Sequence, residues 1–244
     1  MSRIRLDLML EQRGLMPSRA RARDAILRGT VSVNGVAAKK PNQMVGDDDV
    51  LTLDDPAAGY VSRAALKLIA GLDAGAIDVA GKICLDVGSS TGGFTQVLLE
   101  RGAAKVFAVD VGHDQLHESL RHDARVVSLE GTNARDLDRE LVPDAIDLIV
   151  SDVSFVSLTK VLAAPLSLCT PDAEAVLLFK PQFEVGRDFV GKGGIVTDTD
   201  ATARAMADVV AFVEEKGFVL KTQVVSPIAG GDGNLETVLV FGRG

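Results

Sequence analysis

Apolar positions at the start of the chain repeat with helical spacing. Leu6, Met9 and Leu10, followed by Gly14, predict a short helix with a glycine stop. Ser18 is a suitable N-cap for a second helix, in which Ala22 and Ile26 lie one turn apart and Gly29 marks the end. Val31-Ser-Val33-Asn-Gly35-Val36 then reads as a strand entering an Asn-Gly hairpin turn, and Val50-Leu-Thr-Leu53 is a further short apolar run. From Tyr60 the pattern changes. Apolar runs at 83–87, 105–109, 126–129, 146–150, 175–179, 219–225 and 237–241 predict strands. Helical stretches fit between most of them, at 94–101 and around 115–121, 157–168 and 201–216, and one around Lys67 follows Ser62 as its cap. Such alternation predicts an α/β fold, a mostly parallel sheet covered on both faces, with the last two strands adding an antiparallel pair.

The 244 residues suit one large domain plus a small one. A charged fraction of 25% and a mean hydropathy of +0.21 exclude disordered, collagenous and disulfide-knot classes. No apolar run approaches the ~18 residues that cross a bilayer, and charge interrupts the opening MSRIRLDLMLEQRG too early for a signal-peptide core. A cytoplasmic protein without a membrane partner is expected. Cys84 and Cys169 lie in apolar stretches with no metal-ligand spacing, so two reduced core thiols and no metal are expected.

The net charge of −8 taken as an average argues against a nucleic-acid partner, but it is unevenly spread. Residues 1–46 hold nine basic and three acidic residues, a net +6, which leaves −14 for the rest. The break coincides with acidic, loop-like residues 46–49 and 54–59, and places a small domain at 1–55 and a larger one at 56–244. Arg19 and Arg23 share a helix face, which costs a few tenths of a kcal/mol unless something anionic lies opposite. A solvated face is the alternative. Arg5-Leu-Asp7, Ser18-Arg19, Gly29 to Gly35 and Lys39-Lys-Pro41 resemble the RNA-binding domain of the ribosomal protein S-four type over nearly all of residues 3–53. The resemblance implies a small α+β module that recognises folded RNA through phosphates and shape, with Arg3, Arg5, Arg19, Arg23, Arg28 and Lys40 as candidate contacts.

In an open α/β sheet a ligand binds beyond the carboxyl ends of the strands. Gly88-Ser-Ser-Thr-Gly-Gly93, Asp110, Ser151 to Phe155 and Phe179 to Glu184 all fall there. The glycines permit close backbone approach and Asp110 is placed for ribose hydroxyls, although glycines can also serve only a tight strand-to-helix turn. The turn lacks the second glycine of a dinucleotide fingerprint, so a ligand with adenosine but no pyrophosphate fits better than NAD. S-adenosylmethionine is such a ligand.

Lys67, Asp152, Lys180 and Glu236 interrupt or end apolar segments. Their order, with Phe-Lys-Pro-Gln-Phe-Glu around the third and Gly-Asn-Leu-Glu around the last, resembles the Lys-Asp-Lys-Glu tetrad of FtsJ-like ribose 2′-O-methyltransferases. The segments 86–95, 108–112, 133–135, 151–160 and 180–187 resemble more closely the TlyA family of bacterial rRNA methyltransferases over essentially the whole chain. Gln96, where an acid is usual, and Thr237, where an aromatic is usual, depart from that pattern. The resemblance implies a Rossmann-like class I methyltransferase domain, S-adenosylmethionine as cofactor, and ribosomal RNA or ribosomal subunits as partner. It implies Lys180 beside the attacking hydroxyl, with Asp152 and Glu236 fixing the two lysines. It further implies cofactor contacts from Gly88, Ser89, Ser90, Thr91, Gly92, Gly93, Asp110, Val111, Asn133 and Asp152. Arg63 and Lys67 repeat the i, i+4 like-charge pairing of the first domain, which suits Arg63 to face phosphate. Residues 186–200, rich in glycine and charge, read as a mobile loop over RNA or as a plain surface connection. A non-catalytic ribosome-assembly factor and a cytolysin, the latter because relatives carry a haemolysin label, are the competing classes. The sequence leaves the oligomeric state open.

Overall fold

Residues 3–244 are described from a computed structural model. They form two compact units, one ending at Gly59 and one beginning at Tyr60.

The first unit runs β1 (Ile4–Arg5), α1 (Leu6–Gln12), α2 (Arg19–Leu27), β2 (Val31–Val33), β3 (Val36–Ala37), β4 (Met44–Val45) and β5 (Leu51–Leu53). β2 pairs antiparallel with β3 and β5, and β1 with β4. The β2–β3 turn is the Asn34-Gly35 pair, whose φ of 51° and 79° match the twist of a tight hairpin. Ser18 caps α2 by accepting the Arg21 N–H at 3.3 Å. Leu6, Leu10, Ala22, Ile26, Val31 and Val45 close a small core. The unit extends past residue 55 because Asp55 accepts a paired hydrogen bond from Arg28, at 2.7 and 2.8 Å, and the Ala57 carbonyl accepts one from Arg21 at 2.8 Å.

The second unit runs α3 (Ala65–Gly75), β6 (Ile83–Val87), α4 (Gly93–Glu100), β7 (Lys105–Asp110), α5 (Glu118–Arg121), β8 (Val126–Glu130), β9 (Ile146–Ser151), α6 (Leu158–Val161), α7 (Ala163–Ser167), β10 (Cys169–Phe179), α8 (Pro181–Glu184), α9 (Thr199–Glu214), β11 (Phe218–Val225) and β12 (Thr237–Arg243). Its seven strands order as β11-β12-β10-β9-β6-β7-β8, parallel from β10 to β8, with β12 antiparallel to both β10 and β11. Apolar layers cover both faces, as buried parallel strands require.

Several helices differ from expectation for local reasons. The stretch at 157–168 breaks at Leu162, because Pro165 has no N–H to give and its ring crowds the carbonyl four residues back. Only Glu118–Arg121 is helical near 115–121; the residues before it fold onto Glu130, which accepts the N–H groups of Gln115 and Leu116. Ser62 does not cap α3: its hydroxyl accepts the Ala64 N–H within a preceding turn, and the helix starts at Ala65. Residues 186–200 contain two short 3₁₀ turns, and buried Asn234 ties them down by donating to the Gly194 carbonyl and accepting from the Val196 N–H. Cys84 is fully buried and Cys169 half-buried, and burial pushes both thiols up to about 12. Among the described residues there is no cluster able to hold a metal ion, and no helix long and apolar enough to cross a membrane.

Close approach of α3 to the sheet positions the site. Lys67, Gly71 and Gly75 recur every four residues and so share one face. A Cβ on Gly71 would lie 2.6 Å from Val176 and 2.7 Å from Val238, both buried β-branched side chains. Overpacking of this kind costs about 1–3 kcal/mol, against a helix-propensity gain of about 1 kcal/mol for alanine. Gly71→Ala is therefore expected to lower stability by about 1 kcal/mol in urea denaturation; a neutral or stabilising effect would show that the contact can relax.

Candidate active site

Four charged groups from four different elements meet at one edge of the sheet. Asp152 follows β9 and Lys180 follows β10, so both lie at carboxyl ends. β12 runs the other way, and Thr237 pairs with Phe179, so Glu236, just before β12, comes to the same edge. Lys67 reaches it from the first turns of α3. Lys67 Nζ donates to Glu236 Oε2 at 2.5 Å and lies 3.8 Å from Asp152 Oδ2. Lys180 Nζ lies 2.6 Å from Asp152 Oδ1 and donates to the Ser154 hydroxyl at 2.8 Å. The result is an alternating chain, Glu236, Lys67, Asp152, Lys180, in which Lys67, Lys180 and Glu236 are buried and Asp152 is half-buried.

The glycine turn beside this chain is bent by residues with positive φ at Gly88, Ser90 and Gly92. A Cβ on Gly88 would meet the Asp152 carbonyl at 3.1 Å, so the absent side chain lets β6 and β9 close together under the site. Asp110 pins the turn, accepting the Ser90 and Gly112 N–H groups at 2.8 Å each. Asn133 accepts from Arg135 N–H and caps a 3₁₀ turn, which leaves its amide N–H₂ to donate. Val111 is exposed.

Two recesses flank the turn. The larger, about 390 Å³, is lined by Val109, Asp110, Val111, Thr132, Asn133 and Phe155 among others; the smaller, about 160 Å³, reaches Ser89, Thr91, Gly93 and Lys180. They share Gly88, Ser90, Asp152 and Ser154. The larger lies in the range of small-molecule sites and combines apolar walls with few polar groups. Ser89 Oγ is buried with no hydrogen-bond partner among the described residues. A nucleoside with a charged, pyrophosphate-free tail fits this arrangement.

Four residues inside the quoted motifs have contacts that the motifs alone do not reveal. Ser154 receives Lys180. Phe155, 90% exposed with φ 66°, holds its ring 5.2 Å from that of Phe183. A bulky residue in left-handed backbone is strained, and such strain clusters at active sites and ligand clamps. Its signal was an aromatic following Ser-Asp-Val-Ser, past the end of the apolar strand. Asn234 anchors residues 194–196. Asp86, fully buried at the end of β6, accepts the Thr95 hydroxyl at 2.7 Å and has no cation partner among the described residues. Gln96 accepts the Val61 N–H at 2.8 Å, a role an acid could also fill, and Thr237 simply pairs in the sheet.

In the first unit, buried Asp7 accepts two hydrogen bonds from Arg5, at 2.7 and 2.9 Å, and lies 3.5 Å from Arg19. The Arg5 bonds, helped by Arg19, hold its carboxyl below the usual range despite burial. Asp7 thus fixes two arginines at the surface. Arg3 donates to the Met44 carbonyl at 3.1 Å, while Arg23 and Lys40 are exposed with no side-chain partner among the described residues. Arg28 departs from the rest: it is turned inward onto Asp24 and Asp55, which raise its pKa, and offers little charge to a ligand. Arg63 is half-buried in the turn before α3.

Residues 60–243 match the FtsJ-like methyltransferase family model and residues 4–51 the S4 domain model. The chain is 48% identical to the 16S/23S rRNA (cytidine-2′-O)-methyltransferase TlyA of Mycobacterium tuberculosis, over 97% of this chain and 89% of that one. It is 42% identical to Hemolysin A of Brachyspira hyodysenteriae, over 98% and 99%. A solved structure of a putative hemolysin from Streptococcus thermophilus superposes with a TM-score of 0.77 at 36% identity, covering all of this chain and 89% of the other.

Burial, with a smaller contribution from Asp152, raises the Asp86 pKa to about 7 against the opposing Thr95 hydrogen bond. Unfolded, the group ionises near ~3.9, so the folded protein holds this proton more tightly. Its contribution to stability is full below about pH 4 and is lost as pH rises towards about 7. Asp86→Asn keeps an acceptor for Thr95 and removes the titration. Between pH 4 and pH 8 the variant should gain on wild type by up to about 4 kcal/mol in urea denaturation. A pH-independent difference would contradict the raised pKa.

Proposed function

This chain belongs to the TlyA branch of the FtsJ-like methyltransferases, and we propose that it transfers the methyl group of S-adenosylmethionine to a ribose 2′-hydroxyl of ribosomal RNA. The observation that carries the reading is the buried Lys67, Asp152, Lys180, Glu236 chain opening into a recess shared with the glycine turn. The names of the relatives point to cytidine in rRNA.

Bound S-adenosylmethionine supplies an electrophilic methyl group. Gly88 to Gly93, Asp110 and Val111 would hold it, with Asn133 toward the base and Asp152 nearest the reacting end. A neutral hydroxyl is a weak nucleophile, so the protein must place it and accept its proton. Lys180 Nζ is the group that places it, because Lys180 lines the recess with Asp152 and Ser154 fixing its direction. The hydroxyl proton passes to the Asp152 carboxylate, the accepting member of the Lys180–Asp152 pair. Lys67 and Glu236 hold Asp152 in register. Phe155 and Phe183 offer an aromatic surface on which an unstacked base can lie, as RNA modification requires of a nucleotide removed from its helix. Arg3, Arg5, Arg19, Arg23 and Lys40 contact phosphates from the S4 unit, and Arg63 does so near the site.

Methyl transfer to purified small- and large-subunit rRNA, with Lys180→Ala beside wild type, tests this directly. The variant should lose about 10²–10⁴-fold in rate while still binding RNA and S-adenosylmethionine. Full activity in Lys180→Ala would remove Lys180 from the mechanism. No transfer by wild type, with RNA still bound, would favour an assembly factor.

RNA affinity should fall roughly 50–150-fold between 50 and 200 mM salt for about four phosphate contacts. An affinity independent of salt would contradict phosphate docking.

A further inference from the structure

Two short segments form the walls around Lys180. One is the turn 152–157 after β9, with Asp152, Ser154 and Phe155; the other is α8, which has Lys180 as its N-cap and contains Phe183. Neither can hold itself. A four-residue helix has almost no internal ladder, and a turn with a left-handed phenylalanine is strained. Their relative position therefore depends on contacts between them.

Two of those contacts involve groups already assigned, namely Lys180 with Ser154 and Phe155 with Phe183. The third does not. Glu184, the last residue of α8, accepts the backbone N–H of Leu158 through Oε1 at 2.9 Å. Leu158 is the first residue of α6 and follows the 152–157 turn directly. Ser157, the α6 N-cap, and the Lys160 charge both act on Glu184 to favour its charged form. Leu158 and Val161 are buried beside this tie. The Leu158 N–H has no partner within α6, so the Glu184 oxygen satisfies a donor that would otherwise be free, which gives the tie a fixed direction. Burial raises the Glu184 pKa, opposed by Ser157, by the Leu158 N–H and by the Lys160 charge.

We propose that Glu184 is a positioning residue for methyl transfer, tying the start of α6 to the end of α8 and so fixing Asp152, Ser154 and Phe155 against Lys180. The proposal rests on the ribose-methylation reading above. Glu184 touches no reacting atom, so its effect is expected in turnover and not in cofactor affinity. A displacement of about 1 Å at a reacting pair can cost ~10²-fold.

The test compares wild type, Glu184→Ala, Glu184→Asp and Glu184→Gln in the full chain. It measures single-turnover methyl transfer to rRNA, calorimetric S-adenosylmethionine binding, and hydrogen exchange of the 155–160 backbone amides. Glu184→Ala and Glu184→Asp, which lacks the reach, should slow transfer ~10–100-fold, speed exchange at Leu158, and leave cofactor affinity within about twofold. Glu184→Gln keeps an oxygen for Leu158 and an amide donor for Ser157, and should recover most of the rate. If Glu184→Ala fails to fold, Glu184→Asp and Glu184→Gln alone decide. Wild-type turnover in Glu184→Asp, equal loss in Glu184→Asp and Glu184→Gln, or cofactor affinity falling in step with rate would each overturn the proposal. A wild-type chain that binds the cofactor yet methylates no RNA would instead overturn the underlying reading of function.

Discussion

Two ammonium groups and two carboxylates, largely shut off from water, can exist at the edge of this sheet only together. The effective cost of burying one such ion alone is several kcal/mol, and removing a partner from a buried pair leaves that cost uncompensated. Here the charges alternate from Glu236 through Lys67 and Asp152 to Lys180, and the formal sum over the four is zero. Each group comes from a different element, so the chain of charges fixes α3, β9, β10 and β12 relative to one another. The antiparallel direction of β12 follows the same constraint, because only a strand running that way starts beside the ends of β9 and β10. Gly71 and Gly75 let α3 lie close enough to β10 and β12 for Lys67 to reach Glu236.

Asp152 is where the charged chain meets the cofactor side of the site. It lines both recesses, and its backbone carbonyl packs where a Gly88 side chain would stand. One residue thereby sets the distance between the glycine turn, proposed to hold the methyl donor, and Lys180, proposed to hold the acceptor. Asp7 does a comparable job in the S4 unit: a buried carboxylate holds Arg5 and Arg19, so that mutually repelling cations are presented in fixed positions. Concentrating positive charge in that unit reconciles an RNA partner with an acidic chain.

The strands of the larger unit were legible because buried parallel strands are nearly continuous apolar runs, and all seven lie where those runs occur. The four charged residues stood out locally because each breaks or ends such a run. Their mutual contact was legible only through the family resemblance and not from spacing, since Lys67 and Glu236 are 169 residues apart and only the topology joins them. Pro165 was visible, yet the helical period around it hid the break at Leu162. The inward turn of Arg28, the C-cap of α2, depends on Asp55, 27 residues on, which local spacing does not reveal. Phe155 escaped because exposure and left-handed backbone belong to tertiary structure.

The central claim is that this charged chain delivers a methyl group to a ribose oxygen. Reaction of unmodified rRNA with isotopically labelled S-adenosylmethionine, followed by digestion to nucleosides and mass spectrometry, locates the label on sugar or base. The account predicts label on the ribose 2′-oxygen, with cytidine the expected nucleoside. Label on a base atom would contradict it.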